Sequence, residues 1–213
     1  GDDGTGNGLR FDPELYAEDR RNYWRCITHA DEQIGRILSA LQDLRALDDT
    51  IVVFAGDNGY FLGEFGLGDK RYAYDVSLRN PLLVRYPRVV KPGTVLPQTV
   101  LNIDLCPTLL DLCGVPVPSG VHGRSWRPLF ANPRARFRQA FLYEYFLESP
   151  TPVPTIQAWR TERWKYIHYP DSGDADELYD LRKDPQERRC LAGEKAVMAR
   201  LRRDMERELG RTT

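Results

Sequence analysis

Ile51-Val52-Val53-Phe54-Ala55 is an unbroken apolar run led by three β-branched residues, and it stops at Gly56-Asp57-Asn58-Gly59. A strand with one solvated face alternates polar and apolar side chains. A continuous run instead suits cover on both faces, as in a parallel sheet. Pro81-Leu82-Leu83-Val84-Arg85-Tyr86 is a second candidate of this kind. A parallel sheet holding two such strands takes helices as cover, and its faces and one edge are expected to lack partners within this chain. A hydrophobic fraction of 41% in 213 residues suffices for one large domain, or one domain with a small appendage.

The helical patterns are there. Tyr23, Trp24, Ile27, Ala30, Ile34, Ile37, Leu38 and Leu41 recur at helical spacing. They predict an amphipathic helix over residues 14–44 that packs across a sheet face, with Asp12 as its cap and Pro13 entering the first turn. Asp104 to Cys113 predicts another helix, with Pro107 tolerated in its first turn and Gly114 closing it. Helix, strand, loop, strand, helix is the rhythm of an α/β fold.

After about Pro133 the pattern changes. Ala140–Phe146, Thr155–Arg160 and Trp164–Tyr169 read as aromatic-rich strands, with Thr161-Glu162-Arg163 as a tight turn and Leu178-Tyr179-Asp180-Leu181 as a further short strand. From Glu194 to Leu209 the stripe Val197, Leu201, Met205, Leu209 predicts a helix. The expected organisation is a flexible leader (1–13), an α/β part (14–133) and a small antiparallel α+β subdomain (134–213).

Charge excludes some partners. Lys+Arg 30 against Asp+Glu 31 leaves a net charge of −1, which offers no global field to nucleic acid or an anionic membrane. Arg200, Arg202, Arg203 and Arg207 are interspersed with Asp204, Glu206 and Glu208, as on a solvated helix face. No apolar run approaches the ~20 residues of a membrane span, and the Gly/Asp-rich start does not read as a signal peptide, so a soluble chain is expected. Cys106 and Cys113 lie on one helix face while Cys26 and Cys190 are isolated, so all four are expected to be buried free thiols rather than metal ligands. His29, His122 and His168 form no paired motif. Asp3-x-Thr5-x-Asn7-Gly8, with Glu14 at the twelfth position, approaches a calcium loop, but Thr5 breaks the pattern and the segment reads as solvated leader.

Two readings compete for Asp57-Asn58-Gly59. Asn-Gly is a strong hairpin signal that needs no function. Yet the following YFLGEFGLGDKR is punctuated by glycine rather than alternating. The other reading places two hard oxygen donors, Asp57 and Asn58, just past the end of a buried strand, where open α/β sheets bind ligands. Lys70, thirteen residues after Asp57, could then approach an anionic group held by a metal. Two donors are too few to enclose calcium, which takes about 6–8.

The pieces HADEQIGRILSALQDLRALDDTIVVFAGDNG, YFLGEFGLGDKRYAYDVSLRNPLLVRYP, NIDLCPTLLDLCGV, RTERWKYI and ELYDLRKDP, in this order, resemble the C-terminal half of the sulfatase family, within the alkaline-phosphatase-like superfamily. LGDKRYAYDVSLRNPLLVRYP is most similar to bacterial members that desulfate mucin or act as N-acetylglucosamine-6-sulfatases. The resemblance implies part of a sandwich with a mainly parallel sheet flanked by helices, followed by the antiparallel subdomain. It implies Asp57 and Asn58 as calcium ligands, Lys70 as the catalytic residue that contacts the sulfate, and Arg71 as a substrate-binding neighbour. The family's other calcium ligands and its formylglycine nucleophile come from the beginning of its chain, in a Cys/Ser-x-Pro-x-Arg motif. None of the four cysteines here is followed by x-Pro-x-Arg.

Where many relatives carry His after the glutamate of GEFG, this chain has Phe65. Asn58 favours calcium and sulfate esters over the transition metals of related phosphatases, which use His there. The expected function is therefore the C-terminal portion of a calcium-dependent sulfatase acting on sulfated sugars or aryl sulfates. It would be inactive alone and would need the N-terminal half or self-association. A phosphomonoesterase or phosphonate hydrolase, and a non-catalytic truncated module, are the alternatives. Family resemblance points to the periplasm or to secretion.

Overall fold

The computed structural model describes residues 13–149 and 153–212. The expected leader, with its Asp3-Thr5-Asn7 pattern and the Asp12 cap, lies outside the described residues. Two compact units divide the chain. One comprises residues 13–57 and 81–138; the other includes residues 58–80 and 139–212. The segment from Asn58 to Asn80 thus belongs with the C-terminal sheet, whereas the sequence pattern assigned it to the α/β part.

In the first unit, helix α1 runs Pro13–Asp43 and strand β1 Val52–Ala55. β1 pairs with β4 (Leu82–Arg85) in the register Val53↔Val84 and Phe54↔Leu83. Both strands form where expected, but they pair with each other antiparallel. An unbroken apolar run reports cover on its faces and carries no information on direction. Here the cross-strand partners Phe54 and Leu83 are exposed, so the described residues do not cover that face. The same holds for α1. Tyr23, Trp24, Ile27 and Ile37 are exposed and only Ile34, Leu38 and Leu41 of the stripe are half-buried, so the expected packing across a sheet is not formed. A two-stranded ribbon is too narrow to bury a helix of 31 residues.

A 3₁₀ turn at Asn102–Asp104 leads into α3 (Leu105–Leu112). Gly114, at φ 70°, takes the left-handed position that ends this helix, and Val115 N–H donates back to Leu110 O. The buried face of α3 carries Pro107 and Thr108. Cys106 and Cys113 are exposed, as are Cys26 and Cys190, which corrects the expectation of buried thiols. A short helix α4 (Arg127–Ala131) buries Leu129.

The second unit is built on a four-stranded antiparallel sheet. Its strands are β5 (Ala140–Tyr145), β6 (Ile156–Thr161), β7 (Trp164–His168) and β8 (Glu177–Asp180), in that order. The three aromatic-rich segments and the short Leu178–Leu181 segment form strands close to the expected places. Tyr166 and Leu178 point to the face covered by helix α5 (Lys195–Thr212), where they meet Leu201 and Met205. Ile156, Ala158, Ile167 and Tyr179 point to the other face, against Ala73 and the rings of Tyr72 and Tyr74. The turn at Glu162-Arg163 is fastened by Thr161 Oγ1, which accepts Trp164 N–H at 2.8 Å. The arginines of α5 are exposed, and Arg202 and Arg207 pair with Glu206 and Asp204 of their own helix, as a solvated face requires. A two-stranded hairpin, β2 (Phe61–Leu62) with β3 (Gly68–Asp69), and a one-turn helix α2 (Asp75–Leu78) complete this unit.

Candidate active site

β1 delivers its C-terminal end to the candidate ligands. Gly56 N–H donates to Pro81 O at 3.2 Å, and the chain then bends at Asp57 and Asn58. Asp57 is exposed, and its carbonyl accepts Asn102 Nδ2 at 2.6 Å. Asn58 is half-buried and donates its amide nitrogen to Gly59 O at 2.7 Å, which orients the amide. No hairpin forms at Asn58-Gly59; the short hairpin that follows turns at residues 63–67 instead. Gly59 is required for space. A Cβ there would sit 1.9 Å from Val76 O, and Gly59 N–H donates to Ser77 O at 2.7 Å.

The β2–β3 turn places Gly63, Phe65 and Gly66 at positive φ. Phe65 stacks on Tyr74 with ring centroids 4.2 Å apart, so an aromatic contact occupies the place where many relatives carry histidine. β3 hands directly to Lys70, which is half-buried. Lys70 is flanked by two non-glycine residues in the left-handed region, Asp69 at φ 64° and Arg71 at φ 91°. Such residues persist only where their surroundings hold them. Arg71 N–H donates to Ser77 Oγ at 3.1 Å, its carbonyl accepts the Tyr143 hydroxyl, and its guanidinium pairs with the Asp69 carboxylate. Asp57 lies in the first unit, and Asn58, Lys70 and Arg71 in the second.

The donor set can be tested against calcium. Asp57 and Asn58 are oxygen donors of the right hardness at consecutive positions, so they fit calcium as two ligands of a larger set. Among the described residues no group of three or more His, Cys, Asp or Glu side chains comes together to hold a metal ion. His29 faces Glu32 at 3.9 Å, and His168 Nδ1 lies 2.7 Å from Asp176 Oδ1. No described helix is long and apolar enough to cross a membrane.

A buried charged cluster in the second unit is marked by no sequence motif. Lys165 Nζ lies 2.6 Å from Asp75 Oδ1 and 2.5 Å from Glu187 Oε1, with the lysine side chain fully buried. Burial opposes ionisation of Asp75, but Lys165 and Arg160 outweigh it and hold that carboxyl below its usual range. Burial pushes Glu187 the other way, upward, in spite of Lys165. A signal was available: Lys165 shares the inward face of β7 with Ile167, where alternation calls for an apolar residue.

The chain matches the sulfatase family over residues 3–115 and the C-terminal region of N-sulphoglucosamine sulphohydrolase over residues 63–213. It is 37% identical over 195 residues to the N-acetylglucosamine-6-O-sulfatase of Bacteroides thetaiotaomicron, covering 89% of this chain and 35% of that protein. The solved structure of BT4656 in complex with its substrate, D-glucosamine-2-N,6-O-disulfate, superposes with a TM-score of 0.84 at 35% identity over 96% of this chain and 43% of that one. The phosphonate monoester hydrolase of Silicibacter pomeroyi superposes with a TM-score of 0.76 at 30% identity, over 86% of this chain and 39% of that one. The chain thus spans about a third of the length of the curated relatives it matches.

Proposed function

We propose, from the premise that this chain belongs to the sulfatase family, that it is the C-terminal portion of a calcium-dependent sulfuric ester hydrolase acting on a sulfated amino sugar. The observation that carries this reading is Lys70, half-buried and fixed between two left-handed residues at the end of β3. A backbone held in this way narrows where the Lys70 ammonium can go, and a preplaced cation is the condition for strong electrostatic stabilisation. The sulfated glucosamine bound by one structural neighbour supports the choice of substrate.

In this reading Asp57 and Asn58 supply two oxygen ligands to calcium, and Lys70 donates to the sulfate and offsets charge on the leaving oxygen. Arg71, whose guanidinium is engaged by Asp69, is the substrate-binding neighbour in this reading. Bound calcium would neutralise the sulfate and lower the energy of charge developing on it. The remaining ligands and the formylglycine nucleophile belong to a part of the family fold that these 213 residues do not contain. Family members of this kind work in the periplasm or outside the cell, and that is the location proposed.

Calcium titration tests the metal assignment. The chain alone, with two ligands, binds calcium in the millimolar range or more weakly, since affinity follows ligand number and charge. The full-length polypeptide binds it tightly, and Asp57→Ala abolishes that binding. Tight calcium binding that survives Asp57→Ala would overturn the assignment. A panel of sulfate, phosphate and phosphonate monoesters separates this reading from that of a phosphonate hydrolase, the activity named for one structural neighbour.

A further inference from the structure

Ser77 is fully enclosed, and it receives both halves of the candidate site held by its unit. Its carbonyl accepts Gly59 N–H at 2.7 Å, adjacent to Asn58. Its hydroxyl accepts Arg71 N–H at 3.1 Å, adjacent to Lys70. One residue therefore fixes the backbone next to the proposed calcium ligand and next to the proposed sulfate contact. We infer that Ser77 and the buried Lys165–Asp75–Glu187 cluster beneath it are positioning residues that set Asn58 and Lys70 in register. Only the catalytic consequence rests on the function proposed above.

The cluster is costly for a mere filler of space. Lys165 stands at an inward position of a strand that would otherwise take an apolar side chain, and burying an ammonium group is unfavourable unless it is closely paired. It is paired twice, to Asp75 at 2.6 Å and to Glu187 at 2.5 Å. Asp75 Oδ2 lies 3.3 Å from Arg160 Nη2, so two cations meet two carboxylates. Glu187 Oε2 also accepts the backbone N–H of Asp75 at 2.6 Å. Asp75 is thereby held by side chain and by main chain, and Asp75 begins the single helical turn that contains Ser77.

Glu187 itself is held at φ 56°, a strained backbone for a non-glycine residue. The path from sheet to site is short: Lys165 and Glu187 anchor Asp75, Asp75 starts the turn, and Ser77 receives Gly59 and Arg71. Residues 90 and 112 positions apart from Asp75 in sequence converge on this one point. An ionic anchor, unlike an apolar one, has a preferred direction and register. That is what a site with two separately delivered groups needs.

Amide hydrogen exchange on the 213-residue chain tests the clamp without recourse to activity. Ser77→Ala is expected to speed exchange of the Arg71 amide at least tenfold and to leave the Gly59 amide and the β6 amides unchanged. Glu187→Gln is expected to speed the Asp75, Arg71 and Gly59 amides together, again sparing β6. Unchanged protection of Arg71 in Ser77→Ala, or loss spread evenly over β6, overturns the clamp. In the full-length polypeptide, Ser77→Ala is expected to lower kcat about tenfold with little change in KM, and Ser77→Thr to restore most of it. Exchange as expected with kcat unaltered overturns the positioning role while leaving the sulfatase reading intact. An inactive wild type refutes the sulfatase reading, and the exchange data still decide the clamp.

Discussion

Removing the Asp104 carboxylate should be the most damaging single truncation in the unit that carries β1. The side chain has no exposed surface. Its Oδ1 accepts Arg124 N–H at 2.8 Å and Arg138 Nη2 at 2.8 Å. Its Oδ2 accepts Leu101 N–H at 2.8 Å and Arg138 Nη1 at 2.5 Å. Asp104→Ala therefore leaves a guanidinium with only 6% of its side chain exposed and no carboxylate partner, together with two backbone donors. Breaking a buried pair from one side costs about 3–5 kcal/mol, and each orphaned donor about 1–3 kcal/mol before relaxation. These overlap, so a net loss of about 4 kcal/mol is expected. Replacing both partners, Asp104→Leu with Arg138→Met, removes the uncompensated charge and should recover about half of that loss. Urea unfolding followed through the α3 amides reads this unit separately from the four-stranded sheet. With m near 2–3 kcal/mol/M, the Asp104→Ala midpoint should fall by roughly 1.3–2 M. A fall below about 0.5 M, or a double variant no better than the single one, would show that the Asp104–Arg138 pair does not hold this unit together.

Acid should act on the same group. Burial opposes ionisation of Asp104, but Arg138 and the two backbone donors hold its carboxyl below the usual carboxylate range. A depressed carboxyl stabilises the fold above its unfolded value and loses that contribution as pH falls through the folded one, so the α3 midpoint should decline below about pH 4. Glu187, pushed upward by burial, acts with the opposite sign and should make the acid limb of the sheet unit shallower; denaturant midpoints between pH 2 and 6 check both. Gly59→Ala drives a methyl to within 1.9 Å of Val76 O and should lower stability by about 1–3 kcal/mol, as seen in a thermal scan. The 213-residue chain alone should release no sulfate from an aryl sulfate, because a positioned lysine does not replace an activated nucleophile; turnover by a pure preparation would contradict this.

Where periodicity was dense, the sequence was readable. Val197, Leu201, Met205 and Leu209 announced α5, and the aromatic-rich composition of Trp164–His168 announced β7, because each signal arises within one element. What failed was information held between elements. The run Ile51–Ala55 does not encode whether its neighbour is antiparallel, and the stripe on α1 does not say whether a surface exists to receive it. Cys106 and Cys113 share a face, but which face turns inward depends on what packs there. The candidate ligands Asp57 and Asn58, and Lys70, were legible as a motif. Lys165 and Glu187 were not, since their meeting with Asp75 depends on contacts across 90 and 112 residues, and Ser77 was not, since no motif marks its bonds to Gly59 and Arg71. The one hint, a lysine at an inward strand position, is visible only once the register is known.

The central claim is that Lys70 stabilises a sulfate in the transition state. The rate of sulfate release from N-acetylglucosamine 6-sulfate by the full-length polypeptide, wild type against Lys70→Ala, tests it most directly. Calcium-dependent turnover by the wild type is expected, with a fall in kcat of about 10²–10³ in the variant, the usual cost of losing one such donor. A wild type that releases no sulfate, or a variant that keeps its kcat, would contradict it.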